Sequence, residues 1–253
     1  MMKKLICVLV LAVVVMAAGA QTKLKIFNYN VRMSGQMVNY SAKPFAELIK
    51  QQNPDFVMLQ EVDFNTTRNG NKDFLTELAA ELGMFSAFGK AIDYQNGEYG
   101  VGILSKYPIE KISNNQLTSS RSDIKEKRTV LYIDVTVDGQ KLRVASTHLD
   151  NSTADVRTDM VNQMNSYLSN GGVPVILAGD FNAYPTEQTI TNGMNSWQKI
   201  CDNLPTISAS NPTSKIDYIF AKPLNGWNVV SYQRVIRTDL SDHIALVAEV
   251  ELK

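Results

Sequence analysis

The chain has 253 residues, with 25 Lys and Arg against 25 Asp and Glu, a formal net charge of zero, two histidines and two cysteines. This balance excludes a chain specialised by overall charge for polyanion binding, although a metal and a local basic rim would still admit a nucleic-acid substrate. The length suits one large domain or at most two small ones, and one is expected.

Residues 1–20 read as a cleaved export signal: Lys3 and Lys4 make a basic start, Leu5 to Met16 an apolar core and Ala18-Gly19-Ala20 a small-residue cleavage site. The apolar core is shorter than the about 20 residues a spanning helix needs, and no second long apolar run follows. Cys7 lies inside that core rather than at its end, so no lipid anchor is expected. Cleavage of twenty residues from 253 leaves 233, spanning 21–253, as the single expected domain. Two of the 25 basic residues and none of the 25 acidic ones lie in the signal, so the exported form carries a net charge of −2. It keeps one cysteine, Cys201, and so forms no internal disulfide despite an oxidising compartment, periplasmic or extracellular.

Eight apolar, β-branched runs of strand length follow, at 24–29, 56–59, 100–104, 130–137, 142–146, 173–177, 216–220 and 244–250. Several are nearly continuous in apolar residues, the pattern of strands covered on both faces. Helical periodicity marks three segments. Phe45, Leu48 and Ile49 form one stripe, with Ser41 as N-cap and Pro44 early in the helix. Phe74, Leu75, Leu78, Ala79 and Leu82 form a second, stopped by Gly83. Val156, Met160, Val161, Met164, Tyr167 and Leu168 form a third, ended by Asn170-Gly171-Gly172. Asp138-Gly139 between two runs predicts an antiparallel hairpin. Helices alternating with strands and hairpins give an α/β layered sandwich.

Polar clusters fall at the ends of these runs. They are Tyr29-Asn30, Gln60-Glu61, Thr147-His148, Gly179-Asp180-Phe181-Asn182 and Ser241-Asp242-His243. Both histidines of the chain are among them, each beside aspartate or amide company, which favours proton chemistry over packing. Without a cysteine cluster or a His-rich set, the candidate ligands Asn30, Glu61, Asp180 and Asp242 are hard oxygen donors suited to Mg2+, with Mn2+ or Ca2+ as alternatives. The chemistry this inventory favours is metal-assisted hydrolysis of a phosphate ester.

At these residues the chain resembles the endonuclease/exonuclease/phosphatase superfamily. The resemblance runs in order through Tyr29-Asn30-Val31-Arg32, Leu59-Gln60-Glu61-Val62, 99–105, Thr147-His148-Leu149, Gly179-Asp180-Phe181-Asn182, Ile216-Asp217-Tyr218-Ile219 and Ser241-Asp242-His243. Each string is weak alone; seven in order are specific. The resemblance implies a four-layer α/β sandwich, two stacked mixed β-sheets flanked by helices, with the active site at one edge. It implies Glu61 as the metal carboxylate with Asn30 beside it, and Asp180 as the group that orients or deprotonates the attacking water. Asn182 is then the amide that holds the phosphate or supports that aspartate. His148 and His243 flank the phosphate; Asp217 orients His243, Asp242 lies near the metal directly or through water, and Glu98 is the candidate partner of His148. Asn28 departs from the threonine or serine more usual in relatives.

Substrate choice is less readable. Arg68, Lys72, Arg121, Lys125, Lys127 and Arg128 are candidates for a basic margin, against the plainer reading of solvated charges. Tyr94, Tyr99, Tyr184 and Trp227 are candidates to stack a base or sugar, against the plainer reading that they cap the core. A nuclease-type phosphodiesterase is the first expectation. The alternatives are a phosphodiesterase or phosphatase for lipid head groups or small phosphorylated molecules, and a non-catalytic binding protein. Neither stable membrane insertion nor an obligate protein partner is expected.

Overall fold

The computed structural model describes residues 22–169 and 172–253. The expected export signal and the Asn170-Gly171 pair lie outside the described residues. The chain begins β1 (Lys23–Asn30), then runs through β2 (Phe56–Phe64) to the hairpin of β3 (Phe85–Tyr94) and β4 (Gly97–Ser105). It then builds a second sheet from β5 (Lys111–Leu117), β6 (Arg128–Val137), β7 (Gln140–His148), β8 (Val175–Asp180), β9 (Gln198–Lys199) and β10 (Asp217–Lys222). It returns to the first sheet as β11 (Trp227–Val235) and β12 (Ala245–Leu252).

The two six-stranded sheets have the orders β11-β12-β1-β2-β4-β3 and β5-β6-β7-β8-β10-β9. Each is mixed: β1 pairs in parallel with β2, and β7 with β8, among antiparallel neighbours. They stack face to face, and helices cover the outside, giving the expected sandwich. All eight predicted strands are present. The four not predicted include β5, whose Lys111-Ile112-Ser113-Asn114-Asn115-Gln116 is too polar to stand out, and β11, an edge strand exposed along most of its length.

Alternation along β1 explains the layering. Leu24 and Ile26 enter the large core that runs between the sheets and on to the helix at Ala154–Leu168. Phe27 and Tyr29 point the other way, into a second core under the helices at Lys43–Gln52 and Phe74–Leu82. Burying each such side chain contributes about 1.5–3 kcal/mol. Asn28 faces inward between the sheets, where its Oδ1 accepts from Gln60 Nε2 at 3.0 Å and Gln60 also donates to Ser146 Oγ at 3.2 Å. The departure at position 28 is thus a buried polar tie between the sheets beneath the site.

The helix ends follow local chemistry. Asp73 caps Phe74–Leu82 by accepting from Thr76 N at 3.0 Å, and Gly83 ends it with φ +64°. Ser41 does not cap Lys43–Gln52; that helix starts at Ala42 without a side-chain cap, and Pro44 sits in its first turn. Asp138 (φ +49°) and Gly139 (φ +82°) make the β6–β7 turn with the left-handed pair a tight hairpin prefers. No helix among the described residues is long and apolar enough to cross a membrane.

Candidate active site

Strand register assembles the site. His148 is the last residue of β7 and lies level with Asp180 on parallel β8, while Asp217 on antiparallel β10 is also level with Asp180. Three neighbouring strands therefore present His148, Asp180 and Asp217 at one height. From the other sheet come Asn30 at the end of β1, Glu61 on β2 and His243 just before β12. Ser241 Oγ fastens the last segment to β1 by donating to Asn30 O at 2.7 Å and accepting from His243 N at 3.1 Å.

Glu61 is placed by a bulge. The β2–β4 register jumps between Gln60 and Val62, leaving Glu61 unpaired with φ +59°. A bulge re-aims one side chain out of strand alternation, and a left-handed glutamate needs support from its surroundings. That support comes from the next turn, where Arg32, Met33, Ser34 and Gly35 have φ of +45, +49, +54 and +78°. Successive left-handed residues cost roughly 1–2 kcal/mol each when they carry a Cβ. The turn is held by Gly35 N donating to Val31 O at 2.8 Å and Asp63 N donating to Ser34 Oγ at 2.6 Å. It aims Met33 N at Glu61 Oε2 (3.0 Å) and Arg32 N at Asn30 Oδ1 (3.0 Å).

Asn30 then bridges two carboxylates. Its Nδ2 donates to Glu61 Oε1 and to Asp180 Oδ2, each at 3.1 Å. Asp180 Oδ1 accepts from Asn182 N at 2.9 Å, with Asn182 turned left-handed at φ +48°. Asp180 Oδ2 lies 3.5 Å from His148 Nε2 and 3.7 Å from His243 Nε2. His243 Nδ1 faces both oxygens of Asp217 at 3.1 and 3.0 Å. Asn182 Nδ2 donates to Leu149 O at 2.9 Å and lies 3.1 Å from His148 Nε2.

Burial sets the charges apart. Asp180 is pushed up to about 7, first by burial and then by the charge of Asp217, with His243, Asn182 N and Asn30 acting against the shift. Burial alone would depress His243, but Asp217 and then Asp180 overcome it and raise the ring to about 10. His148 is driven well below the ordinary histidine range by burial, then by Arg128 and His243. Arg128 Nη1 lies 3.4 Å from its Nδ1, and Asn182 Nδ2 and Asp180 Oδ2 lie near its Nε2. One imidazole is charged and the other neutral in the same cleft, a division that separates acid from base.

The cleft has a volume of about 420 Å³ and takes in Glu61, His148, Asp180, Asn182, Asp242 and His243 together. Asp217 lies behind His243 as its partner. One expectation is not met. Glu98 forms an ion pair with Lys90 at 3.2 Å, in a surface hollow with Phe64 and Asp93, and not with His148. It is opposite Phe64 and Asp93 in the register, and strand alternation sets it on the other face of β4 from Tyr99, which lines the cleft. Asp242 lines the same cleft, half-exposed and ion-paired with Arg32.

Arg128, a candidate for the basic margin, is not a solvated charge: it lines the cleft, buried beside His148, with Nη1 2.7 Å from Glu126. Arg68, Tyr94 and Tyr99 also line the cleft. Lys72 instead donates to Tyr40 O, and Arg121 pairs with Asp155 and Asp159. Lys125 and Lys127 are exposed, Tyr184 is exposed, and Trp227 is buried core. Strand placement, not composition, distinguishes Arg128: it opens β6 directly before the buried run that starts at Thr129.

The donor set fits a hard divalent cation. Asp180, Asp217 and His243 offer ligand atoms within 4.8 Å of one another, but both Asp217 oxygens face His243 Nδ1 and are engaged there. The better pair is Glu61 with Asp180, two carboxylates drawn together by one amide nitrogen whose dipole offsets little of their charge. Oxygen donors with uncompensated negative charge suit magnesium or manganese. Asn30 turns its carbonyl oxygen to Arg32 N and bridges the two carboxylates through its Nδ2.

Acid, amide and imidazole groups gathered over one edge of a two-sheet sandwich define a phosphoester-hydrolase class of site. The sequence profile of the Endonuclease/Exonuclease/phosphatase family matches residues 27–243, and the chain belongs to this family. It is 28% identical over 180 residues to the uncharacterized protein YbhP of Escherichia coli K12, covering 66% of this chain and 68% of that one. Among solved structures it is similar to an endonuclease/exonuclease/phosphatase of Bacteroides vulgatus, with TM-score 0.76 and 20% identity over 92% of this chain and all 100% of that one. A mannosyl-6-phosphatase of Bacteroides thetaiotaomicron gives TM-score 0.71 and 19% identity, over 90% of this chain and 99% of that one. At these identities the structural likeness speaks for the fold.

Proposed function

We propose that this chain is an exported, divalent-metal-dependent phosphoesterase that hydrolyses its substrate by direct in-line attack of water. The observation that carries this reading is the meeting of Asp180, Asn182 and two imidazoles, one charged and one neutral, in one cleft with Glu61. Asp180 Oδ2 accepts the proton of the attacking water; a carboxylate raised towards neutrality is a competent base at ordinary pH. His243, kept protonated by Asp217, donates to a phosphoryl oxygen and stabilises charge as it builds there. Asn182, fixed by its side chain on Leu149 O and its backbone N–H on Asp180 Oδ1, orients His148 at the other side of the phosphate. A cation held by Glu61 with Asp180 would neutralise phosphoryl and leaving-group oxygens when bound.

None of the described residues lining the cleft is Ser, Thr or Cys, which supports attack by water over a covalent hydroxyl or thiol intermediate. Nuclease-type cleavage was the first expectation from sequence. A cleft of about 420 Å³ favours the second, a small phosphate ester, and the mannosyl-6-phosphatase among the structural neighbours acts in that range. Export rests on residues 1–20. The deciding experiment incubates the purified chain with Mg2+ or Mn2+ and a panel of plasmid DNA, RNA, sphingomyelin, inositol phosphates and hexose phosphates. Release of phosphate or cleaved product that chelation stops is expected; no product from any of them would end the proposal.

A further inference from the structure

Arg68, Tyr94 and Tyr99 are among the side chains that line the cleft without a part in the chemistry above. Arg68 sits in the short turn Thr67–Asn69 after β2. Its Nε and Nη2 donate to Asp63 Oδ2 and Oδ1 at 2.9 and 2.7 Å, and Asp63 is fully buried. The guanidinium carbon lies 4.6 Å from the centre of the Tyr94 ring and 5.4 Å from that of Tyr99.

A structural role in closing the loop does not account for this arrangement. The loop is already closed by Asn65 N to Lys72 O (3.0 Å), Asn71 N to Thr66 O (2.9 Å), Gly70 N to Thr67 O (3.2 Å) and Thr67 N to Gln95 O (2.9 Å). The Asn69 side chain adds bonds to both backbone groups of Lys72. Burying a carboxylate costs free energy even when it is paired. What the ion pair fixes is the direction of the guanidinium. One edge is spent on Asp63, the tyrosine rings pack against the plane, and the remaining nitrogen, Nη1, has no hydrogen-bond partner among the described residues.

The charges around the cleft narrow the ligand. Arg68 is matched by Asp63, Arg128 by Glu126 and Arg32 by Asp242. A nucleic-acid backbone is gripped by cations free to neutralise phosphates, and each of these arginines already carries its own carboxylate. Paired donors and acceptors instead suit hydroxyl groups, each of which both donates and accepts. Asn151, another lining residue, offers the same dual chemistry.

We propose that Arg68, clamped by Asp63 against Tyr94 and Tyr99, is the specificity residue that receives the uncharged, hydroxyl-bearing body of a small sugar or polyol phosphate. This inference rests on the phosphoesterase reading and names its substrate class. A hydroxyl oxygen of the substrate accepts from Nη1, and the C–H face of the body lies against the tyrosines. The rigid clamp lowers the ordering cost of each encounter.

The test compares a hexose 6-phosphate, 4-nitrophenyl phosphate and a single-stranded oligonucleotide in the full chain with Mg2+, using Arg68→Lys and Tyr94→Leu. Lysine keeps a charge for Asp63 but lacks the second edge, and Tyr94→Leu removes part of the platform without stranding Asp63. Both variants should lower kcat/KM for the hexose phosphate, by about tenfold for Arg68→Lys. The loss should lie mainly in KM, with far less change on 4-nitrophenyl phosphate, whose body has no hydroxyl. An equal loss on both monoesters, or wild-type preference for the oligonucleotide, overturns the inference and leaves the phosphoesterase reading standing. Absence of hydrolysis on all three, with Mg2+ and with Mn2+, overturns both.

Discussion

Asp217 holds the imidazole of His243 with both carboxylate oxygens, 3.1 and 3.0 Å from Nδ1, at a site where both residues are buried. Removing that carboxylate leaves burial, which disfavours the charged ring, as the dominant influence. The raised folded-state value means that this interaction stabilises the fold in full below the unfolded value of 6.5. It is lost as pH rises from there through about 10.

The chain contains two histidines, so their titrations are separable by NMR in the metal-free protein. At pH 7.5 one ring should be imidazolium and the other neutral, and Asp217→Asn should make His243 neutral. The stability gap between wild type and Asp217→Asn should narrow between pH 7 and 10. Two rings titrating together near 6.5 would contradict the assignment.

Asp180 is the carboxylate on which Asn30, Asn182 and both imidazoles converge. Asp180→Asn preserves the size of the side chain and removes its capacity to take a proton. Turnover under saturating metal should fall by about 10²–10⁴, with an unchanged circular dichroism spectrum, and His243→Ala should cause a loss of similar order. Near-normal turnover in either variant would show that the roles have been placed wrongly.

The parts of this site legible in the sequence are those placed by strand ends. Asn30, His148 and Asp180 close apolar runs, Asp217 opens one and His243 directly precedes one, so pattern alone puts them at the edge of a sheet. Glu61 was legible as a residue but not as a geometry, because the bulge and the left-handed turn at 32–35 arise from tertiary support that no local propensity announces. Glu98 shows the opposite failure. The resemblance implies it as the partner of His148, yet the hairpin register sets it opposite Asp93, where it pairs with Lys90. Arg68 and Arg128 look like solvated charges in sequence because the acids that hold them, Asp63 and Glu126, become partners only after folding.

Metal dependence has a specific expectation at Glu61. The carboxylate is oriented by Asn30 Nδ2 and Met33 N and remains available on its other lone pairs. Treatment with a chelator should abolish hydrolysis, and Mg2+ or Mn2+ should restore it. Glu61→Gln should raise the Mg2+ concentration needed for half-maximal rate, read from activity against added metal, while isothermal calorimetry shows weaker Mg2+ binding. Full activity in exhaustively chelated protein would remove the metal from the scheme.

Gly179 tests whether strand register positions the two sides of the site. It lies level with Thr147 in the parallel β7–β8 pair, and a Cβ built there would stand 2.1 Å from Thr147 O. That atom is backbone and cannot rotate aside, so Gly179→Ala must push the strands apart between the residues that precede His148 and Asp180. The expected cost is about 1–3 kcal/mol of stability, measured by urea denaturation. Turnover should fall as well, because the 3.5 Å approach of His148 to Asp180 depends on that spacing. A variant as stable and as active as wild type would mean that β7 and β8 do not set the distance between these side chains.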